Sequence, residues 1–149
     1  PFEYIHDEIG YNYRLVNVLA AIGVAQMELL PSFIERKKQI VAFYKQELTG
    51  VADIRFQQEL PDVNTNGWLF TIQTEKQQAL LDHLNANKIL SRRFWMPMNK
   101  LPMYKDCVYI QHQDQSDYIY NTCLSIPSST NITDEELAIV TREIKAAIG

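Results

Sequence analysis

Two apolar segments with different patterns occupy the first third of the chain. Between residues 17 and 30 the only charged side chain is Glu28, which predicts a helix buried nearly all round, with Asn17 as its cap. Pro31 suits the first position of a second helix, which an apolar stripe continues towards Gly50. That stripe consists of Phe33, Ile34, Lys37, Ile40, Val41, Tyr44 and Leu48. Because a helix that is apolar on every face needs cover from several sides, a partner chain or a further domain is expected to pack on the first helix.

The rest of the sequence alternates short strand patterns with helical ones. β-branched and aromatic residues predict strands at residues 54–56, 67–73, 89–95 and 123–127. A capping box at residues 74–77 predicts a helix that ends near Asn87, a short helix is expected from about 114 to 122, and Thr133 caps the last helix. This order predicts an α/β fold with helices packed on a sheet of three or four strands.

Composition and charge exclude several classes of function. The chain has 149 residues, 46% of them hydrophobic, and a net charge of -4 at pH 7, which argues against a general nucleic-acid or membrane-surface binder. Gln26 and Glu28 interrupt the most apolar window, and a basic-then-apolar leader pattern is not seen, so we expect no membrane partner and a cytoplasmic protein. Cys107 and Cys123 stand singly, which predicts reduced thiols and no metal site.

The three histidines offer no independent catalytic or metal-binding constellation. His6, His83 and His112 share no metal-like spacing, and a Gly-rich phosphate loop is not seen. His83 and His112 are expected at the surface, whereas His6 lies beside a candidate motif and could line a site.

The first candidate motif joins a polar, aromatic turn to the apolar helix. Gly10 permits a tight turn, Tyr11 and Tyr13 are stiff side chains with polar tips, and Asn12 and Arg14 supply amide and guanidinium donors. Such a loop is suited to contact an anion. The alternative is a helix start that two half-buried tyrosines anchor.

The second candidate motif is the proline-stiffened segment from residue 92 to 104. It combines Arg92 and Arg93 with the Asn99 amide and several large apolar side chains. Arginine binds a diphosphate through paired charge-assisted hydrogen bonds, aromatic surface covers a sugar or base, and an amide can bind a hydroxyl. The segment therefore suits an anionic sugar nucleotide, the alternative being a loop that packs its Met and Trp side chains on a neighbour.

Together these blocks resemble the StrS/DegT-type sugar aminotransferases. The resemblance rests on residues 6–14, on the Ala20-Ala21-Ile22-Gly23 run, and on residues 94–105, and it extends from about residue 6 to the end. The blocks at 29–33 and 94–105 resemble the branch that aminates nucleotide-linked 4-keto sugars for nonulosonic acids such as legionaminic acid.

The resemblance implies the small C-terminal domain of an aspartate-aminotransferase-like, fold type I enzyme that uses pyridoxal phosphate. Residues 1–30 would be a cofactor loop and interface helix continuing from a large domain, and residues 31–149 the small domain. The enzyme would be a homodimer that moves an amino group from an amino-acid donor to a nucleotide-linked keto sugar.

The resemblance also implies roles for individual residues. Asn12 would bind the cofactor phosphate of the other subunit, and Arg14, Arg92 and Asn99 would contact the substrate, although the family often has a histidine where Asn99 stands. The Schiff-base lysine lies upstream in the family, so no catalytic residue is nominated and the chain, interpreted as a cut piece, is expected to be inactive alone. Two alternatives stay open: a related cofactor-dependent sugar dehydratase, and a non-catalytic α/β interaction module.

Overall fold

One long helix starts the fold and extends beyond the sheet that it supports. The computed structural model describes residues 5–11 and 13–149, and in it α1 runs from Asn17–Leu48. Its second half carries the predicted stripe, with Ile40, Tyr44 and Leu48 fully buried. Its first half is exposed, since nearly every side chain from residue 17 to 30 lies at the surface of this chain.

By length and composition alone, α1 could cross a membrane. The core helices of soluble proteins pass the same test, so the expectation that the protein has no membrane partner stays a prediction.

The sheet has four short antiparallel strands in the order β1-β2-β4-β3. Along the chain the elements after α1 are β1 (Arg55–Phe56), β2 (Phe70–Gln73), α2 (Gln77–Ala86), β3 (Arg92–Arg93), α3 (Gln115–Thr122), β4 (Cys123–Ile126) and α4 (Asp134–Ile148). Two single 3₁₀ turns, Met98–Lys100 and Pro102–Tyr104, follow β3. The number of strands and the packing of helices on them agree with the predicted architecture.

The two faces of the sheet have different partners. Phe70 lies opposite Ile126 and Ile72 opposite Leu124, and all four side chains are buried in the core with the helices. Because alternate residues of a strand point to opposite faces, Thr71 and its neighbour Ser125 belong to the second face, which Arg92 joins across β4. The first face provides the core, and the second face is available for polar contacts.

The core is formed mainly by one stripe from each of α1, α2 and α4 and by the first sheet face. The helices contribute Ile40, Tyr44 and Leu48 of α1, Leu80, Leu81 and Leu84 of α2, and Leu137, Val140, Ile144 and Ile148 of α4. Between α2 and α4, His83 Nε2 lies 3.1 Å from Glu143 Oε2, which gives this histidine a structural partner.

The predicted start of the first helix and the predicted break at Pro31 are wrong. Val16 is the residue before the helix, Asn17 is already helical, and the helix makes no side-chain cap bond at its exposed start. Pro31 lies inside α1. Pro31 has no amide hydrogen, so the helix lacks one backbone hydrogen bond there, in a stretch that is exposed to water. Next to it, the Ser32 hydroxyl donates to the Leu29 carbonyl at 2.7 Å.

The predicted capping box at residues 74–77 does not form. Thr74 Oγ1 donates to Asp53 Oδ1 at 2.6 Å instead of capping α2, which begins at Gln77 without a side-chain cap. Gln77 is buried, and its Nε2 donates to the carbonyls of Tyr120 and Cys123 at 2.8 and 2.7 Å. The predicted box around Thr133 is confirmed, with both reciprocal bonds to Glu136 present.

The predicted strands at residues 67–73 and 89–95 are shorter than expected. Gly67 has a φ of +60°, so the chain is not extended there, and a Cβ at this position would lie 3.1 Å from Val41 Cγ2. The Trp68 carbonyl accepts from Lys37 Nζ of α1 at 2.8 Å rather than from a neighbouring strand. Strand β2 therefore starts only at Phe70, beyond this contact with α1.

Candidate functional site

The polar turn before α1 is exposed in this chain. Tyr11 and Tyr13 are both largely exposed, and their rings contact each other with centroids 6.3 Å apart. The alternative of two half-buried tyrosines that anchor the helix is therefore wrong for this chain. Arg14 and His6 also lie at the surface, whereas Asn12, the predicted cofactor contact, lies outside the described residues.

Backbone hydrogen bonds hold the segment after β3 in place near each of its two prolines. Phe94 N donates to the Cys123 carbonyl at 3.3 Å, which ends the pairing of β3 with β4. In the first 3₁₀ turn Lys100 N donates to the Pro97 carbonyl at 2.9 Å, and in the second Tyr104 N donates to the Leu101 carbonyl at 3.0 Å. Pro97 and Leu101 are buried, so the segment is anchored at two points and exposes Met98 and Lys100 between them.

Asn99 sits in the first 3₁₀ turn, between those two anchors. Its side chain is half-buried, and its Oδ1 is enclosed without a hydrogen-bond partner. An enclosed amide oxygen without a donor costs free energy, and such groups are typical of sites that are completed by another molecule or chain. This geometry agrees with a binding role for Asn99 but does not identify the ligand.

A salt bridge joins the same turn to α3. Lys100 Nζ lies 2.5 Å from Asp117 Oδ1, in the first turn of that helix. The hydrogen bond that Lys100 donates to the Asp117 carboxylate is the main cause that raises the pKa of Lys100. Sequence analysis could not predict this pair, because the two residues lie in different elements.

Arg92 lies on the second face of the sheet, where it lines a cavity of about 380 Å³. Lys37 of α1 and the hydroxyl-bearing Ser125 and Ser128 also line this cavity. Lys37 Nζ donates to the Trp68 and Ser128 carbonyls, and its partial burial lowers its pKa. With Ser129 also in its lining, the cavity has two cationic side chains and three serine hydroxyls, which suits it to polar or anionic groups.

A larger groove of about 520 Å³ lies along β1 and β2. Trp68 and Trp95 stack at its rim with ring centroids 6.0 Å apart and planes 28° apart, although they remain 66% and 45% exposed. Phe94 packs edge-on against Trp95 at 4.8 Å. Sequence analysis assigned Trp68 only to a strand and so missed this aromatic surface, which forms because two distant segments meet on the sheet.

The predicted substrate residues are therefore only partly brought together. Arg92 and Asn99 lie on one continuous segment that leaves β3, and Arg92 also lines a cavity. Arg14 lies on the exposed segment before α1 and lines neither cavity.

The described residues do not form a complete site for pyridoxal phosphate. That cofactor needs a lysine for its Schiff base, yet the two lysines that line the cavities are engaged: Lys37 with backbone carbonyls and Lys45 with Glu59 at 2.8 Å. Arg14 offers a donor suited to a phosphate, and Asn12 lies outside the described residues. In the part of the chain that the structure describes, clusters of three or more metal-ligating side chains are not found.

Comparisons with known proteins give this arrangement its context. The family described as "DegT/DnrJ/EryC1/StrS aminotransferase family" matches residues 2–145. The chain is 32% identical to GDP-perosamine synthase of Escherichia coli O157:H7 over 145 residues, covering 95% of this chain and 39% of the relative. The Vibrio cholerae GDP-perosamine synthase is 31% identical over 147 residues, with 95% and 40% covered. The chain thus spans about two fifths of the length of these relatives.

The fold is also that of a solved aminotransferase. S. venezuelae DesV, solved in complex with a ketimine intermediate, superposes with a TM-score of 0.84 at 24% identity, covering 96% of this chain and 39% of that one. At this identity the likeness establishes the fold, and the family model and the perosamine synthases establish the kinship. The chain belongs to the DegT/DnrJ/EryC1/StrS aminotransferase family.

Proposed function

We propose that this chain is the C-terminal part of a pyridoxal-phosphate-dependent aminotransferase that transfers an amino group from an amino acid to a nucleotide-linked keto sugar. The observation that carries the proposal is the 32% identity to a GDP-perosamine synthase over 95% of the chain. A 4-keto-6-deoxy sugar destined for a nonulosonic acid or a surface polysaccharide is the substrate class that we infer. The family match supports amination over the dehydratase alternative and over a non-catalytic module.

In this proposal the chain's own residues bind and orient the substrate. Arg92, beside the hydroxyls of Ser125 and Ser128, and Arg14 on the exposed turn would bind the diphosphate of the sugar nucleotide. Asn99 would bind a sugar hydroxyl through an amide whose oxygen lacks a partner in this chain. The cofactor supplies an electron sink and carries the amino group between the two substrates.

The enzyme would work as a cytoplasmic homodimer. Support comes from the exposed apolar half of α1, where Val18, Leu19 and Ile22 face solvent in the single chain. Packing of this half on the remainder of the enzyme and on a second subunit would remove that surface from water. In such a dimer Asn12 would contact the cofactor phosphate of the other subunit.

The test uses the full-length enzyme, glutamate as the amino donor and a nucleotide-linked 4-keto-6-deoxy sugar. We expect the aminated sugar nucleotide to be detected by mass spectrometry, and a dehydrated product or no product would contradict the proposal. Arg14→Ala should raise the KM for the sugar nucleotide by about 10- to 100-fold, because one charge-assisted hydrogen bond to a phosphate is lost.

The matched control for that variant is Arg142→Ala, which removes an exposed guanidinium on α4. It should leave the KM for the sugar nucleotide unchanged. Equal effects of the two variants would show that Arg14 acts only through the overall charge.

A further inference from the structure

The turn that holds Asn99 depends on side-chain contacts for its position. Its hydrogen bonds to Pro97 and Met98 are local, and a single 3₁₀ turn is weakly stable by itself. Pro97 and Leu101 anchor its two ends through burial. The side chain of Lys100 joins the exposed part of the turn to α3.

Lys100 has a fixed partner in a structured element. Asp117 Oδ1 lies 2.5 Å from Lys100 Nζ, and the Asp117 side chain is only 24% exposed, against 42% for Lys100. Asp117 belongs to the first turn of α3, which leads directly into the central strand β4. The ion pair therefore links the Asn99 turn to the sheet through one short helix.

Two buried side chains fix α3 against the body of the fold. Tyr120, one turn after Asp117, is buried, and the α3 residue Thr122 is also buried while its hydroxyl donates to the Tyr118 carbonyl at 2.7 Å. Because α3 is fixed against the body of the fold, Asp117 is a rigid acceptor, and a lysine bound to it loses most of its freedom.

We propose that the Lys100–Asp117 ion pair is a positioning device that holds Asn99 in place for the sugar of the nucleotide-sugar substrate. The inference rests on the proposed function. Lys100 and Asp117 are positioning residues, since they act through Asn99 and need not touch the substrate. Holding a binding group within a fraction of an ångström affects the step that uses it and leaves other steps intact.

The experiment measures the two half-reactions of the full-length holoenzyme separately, with glutamate alone and with the nucleotide-linked keto sugar. Lys100→Met and Asp117→Asn should each raise the KM for the sugar nucleotide by about tenfold, and the double variant should be no worse than either single one. The half-reaction with glutamate should stay within about twofold of wild type, because it does not use Asn99. Lys105→Met, which removes an exposed lysine just after the second 3₁₀ turn, is the control and should change neither half-reaction.

Two further variants separate positioning from folding. In an Asn99→Ala background, Lys100→Met should have little additional effect, because the group that it positions is gone. The exchanged pair, Lys100→Asp with Asp117→Lys, should bring the KM for the sugar nucleotide part of the way back to the wild-type value. Thermal unfolding of each variant provides the check on folding.

The outcomes distinguish this inference from the proposed function. A wild-type enzyme that aminates no nucleotide-linked keto sugar would overturn both. An active wild type whose Lys100→Met and Asp117→Asn variants keep the normal KM would overturn the inference alone. Equal losses in the two half-reactions would also overturn it, since they would indicate a general structural role.

Discussion

Asp53 shows how one side chain organises a helix start from a distance. Its carboxylate accepts hydrogen bonds from the Thr74 hydroxyl at 2.6 Å and from the Glu75 amide at 2.7 Å. These bonds, the Thr74 one foremost, hold the pKa of Asp53 below its usual value. A carboxylate with a lowered folded-state pKa stabilises the fold above its unfolded pKa of about 3.9, and this contribution is lost as the pH falls through the folded-state pKa.

Asp53→Asn should therefore lower the free energy of unfolding at pH 7 by about 1 kcal/mol, the usual net value of one hydrogen bond. The difference between wild type and variant should shrink as the pH is lowered below about 4, because the wild-type carboxyl then becomes protonated. Urea unfolding followed by circular dichroism at several pH values measures this difference. Asp62→Asn, in the exposed 57–66 loop, is the control, and a pH-independent difference for Asp53→Asn would contradict the prediction.

Of the three helix caps predicted from the sequence, the one at Thr133 is confirmed and those at Asn17 and Thr74 are wrong. Thr133 and Thr74 precede similar patterns, and only Thr133 forms the reciprocal bonds with the residue three positions later. Thr74 is bonded instead to Asp53, and Gln77 is drawn into the core by two backbone carbonyls. Local pattern predicts a cap only when tertiary partners do not compete for the same side chains.

The helix α1 is the element whose two halves behave differently. Its second half packs on the core, and its first half is exposed although it was predicted to be buried. Periodicity predicted the stripe correctly because the stripe reflects packing within this chain. It could not show what would cover residues 17–30, because these side chains lie at the surface of the described chain.

Ile22→Glu should weaken self-association through that exposed half without unfolding the chain. Ile22 is 54% exposed in the single chain, so a carboxylate there stays hydrated in the monomer and loses its hydration only in an interface. Light scattering over a concentration series measures the association, and thermal unfolding at low concentration measures the fold. Gln46→Glu, on the exposed face of the second half, is the matched control and should leave both unchanged.

Two results would contradict the proposed role of α1 in self-association. A monomeric wild-type chain, or an Ile22→Glu variant that associates as strongly as wild type, would remove α1 from the proposed interface.

For the whole molecule, sequence analysis predicted the architecture and the segment that carries Arg92 and Asn99. It could not predict the contacts between distant segments, such as Lys37 with the Trp68 carbonyl or Lys100 with Asp117. Such contacts depend on how the elements pack, which local sequence patterns do not describe. The site is thus partly visible in the sequence, and its supporting contacts are visible only in the fold.

A test at the level of the assembled enzyme uses mixed dimers. In the proposed dimer Asn12 serves the site of the other subunit, so combining Asn12→Ala subunits with subunits that lack the Schiff-base lysine places both defects in one site. The other site stays intact, so each purified heterodimer should keep about half of the wild-type activity. The loss of the hydrogen bond to the phosphate, about 1.5–3 kcal/mol of binding free energy, affects only the site that also lacks the lysine. Near-zero activity of the heterodimer would indicate that Asn12 serves its own subunit.

The stacked tryptophans have a spectroscopic consequence. Both tryptophans of the chain belong to this one pair, so its indole fluorescence originates from a single place, in the lining of the larger groove. Two indoles in contact couple their electronic transitions, which should give the isolated chain an exciton couplet in circular dichroism, and separation of the rings should abolish it. Because Trp95 begins the segment that leads to Asn99, the signal offers a label-free optical reporter of motion in that segment, with Trp68→Phe as the variant that silences the coupling.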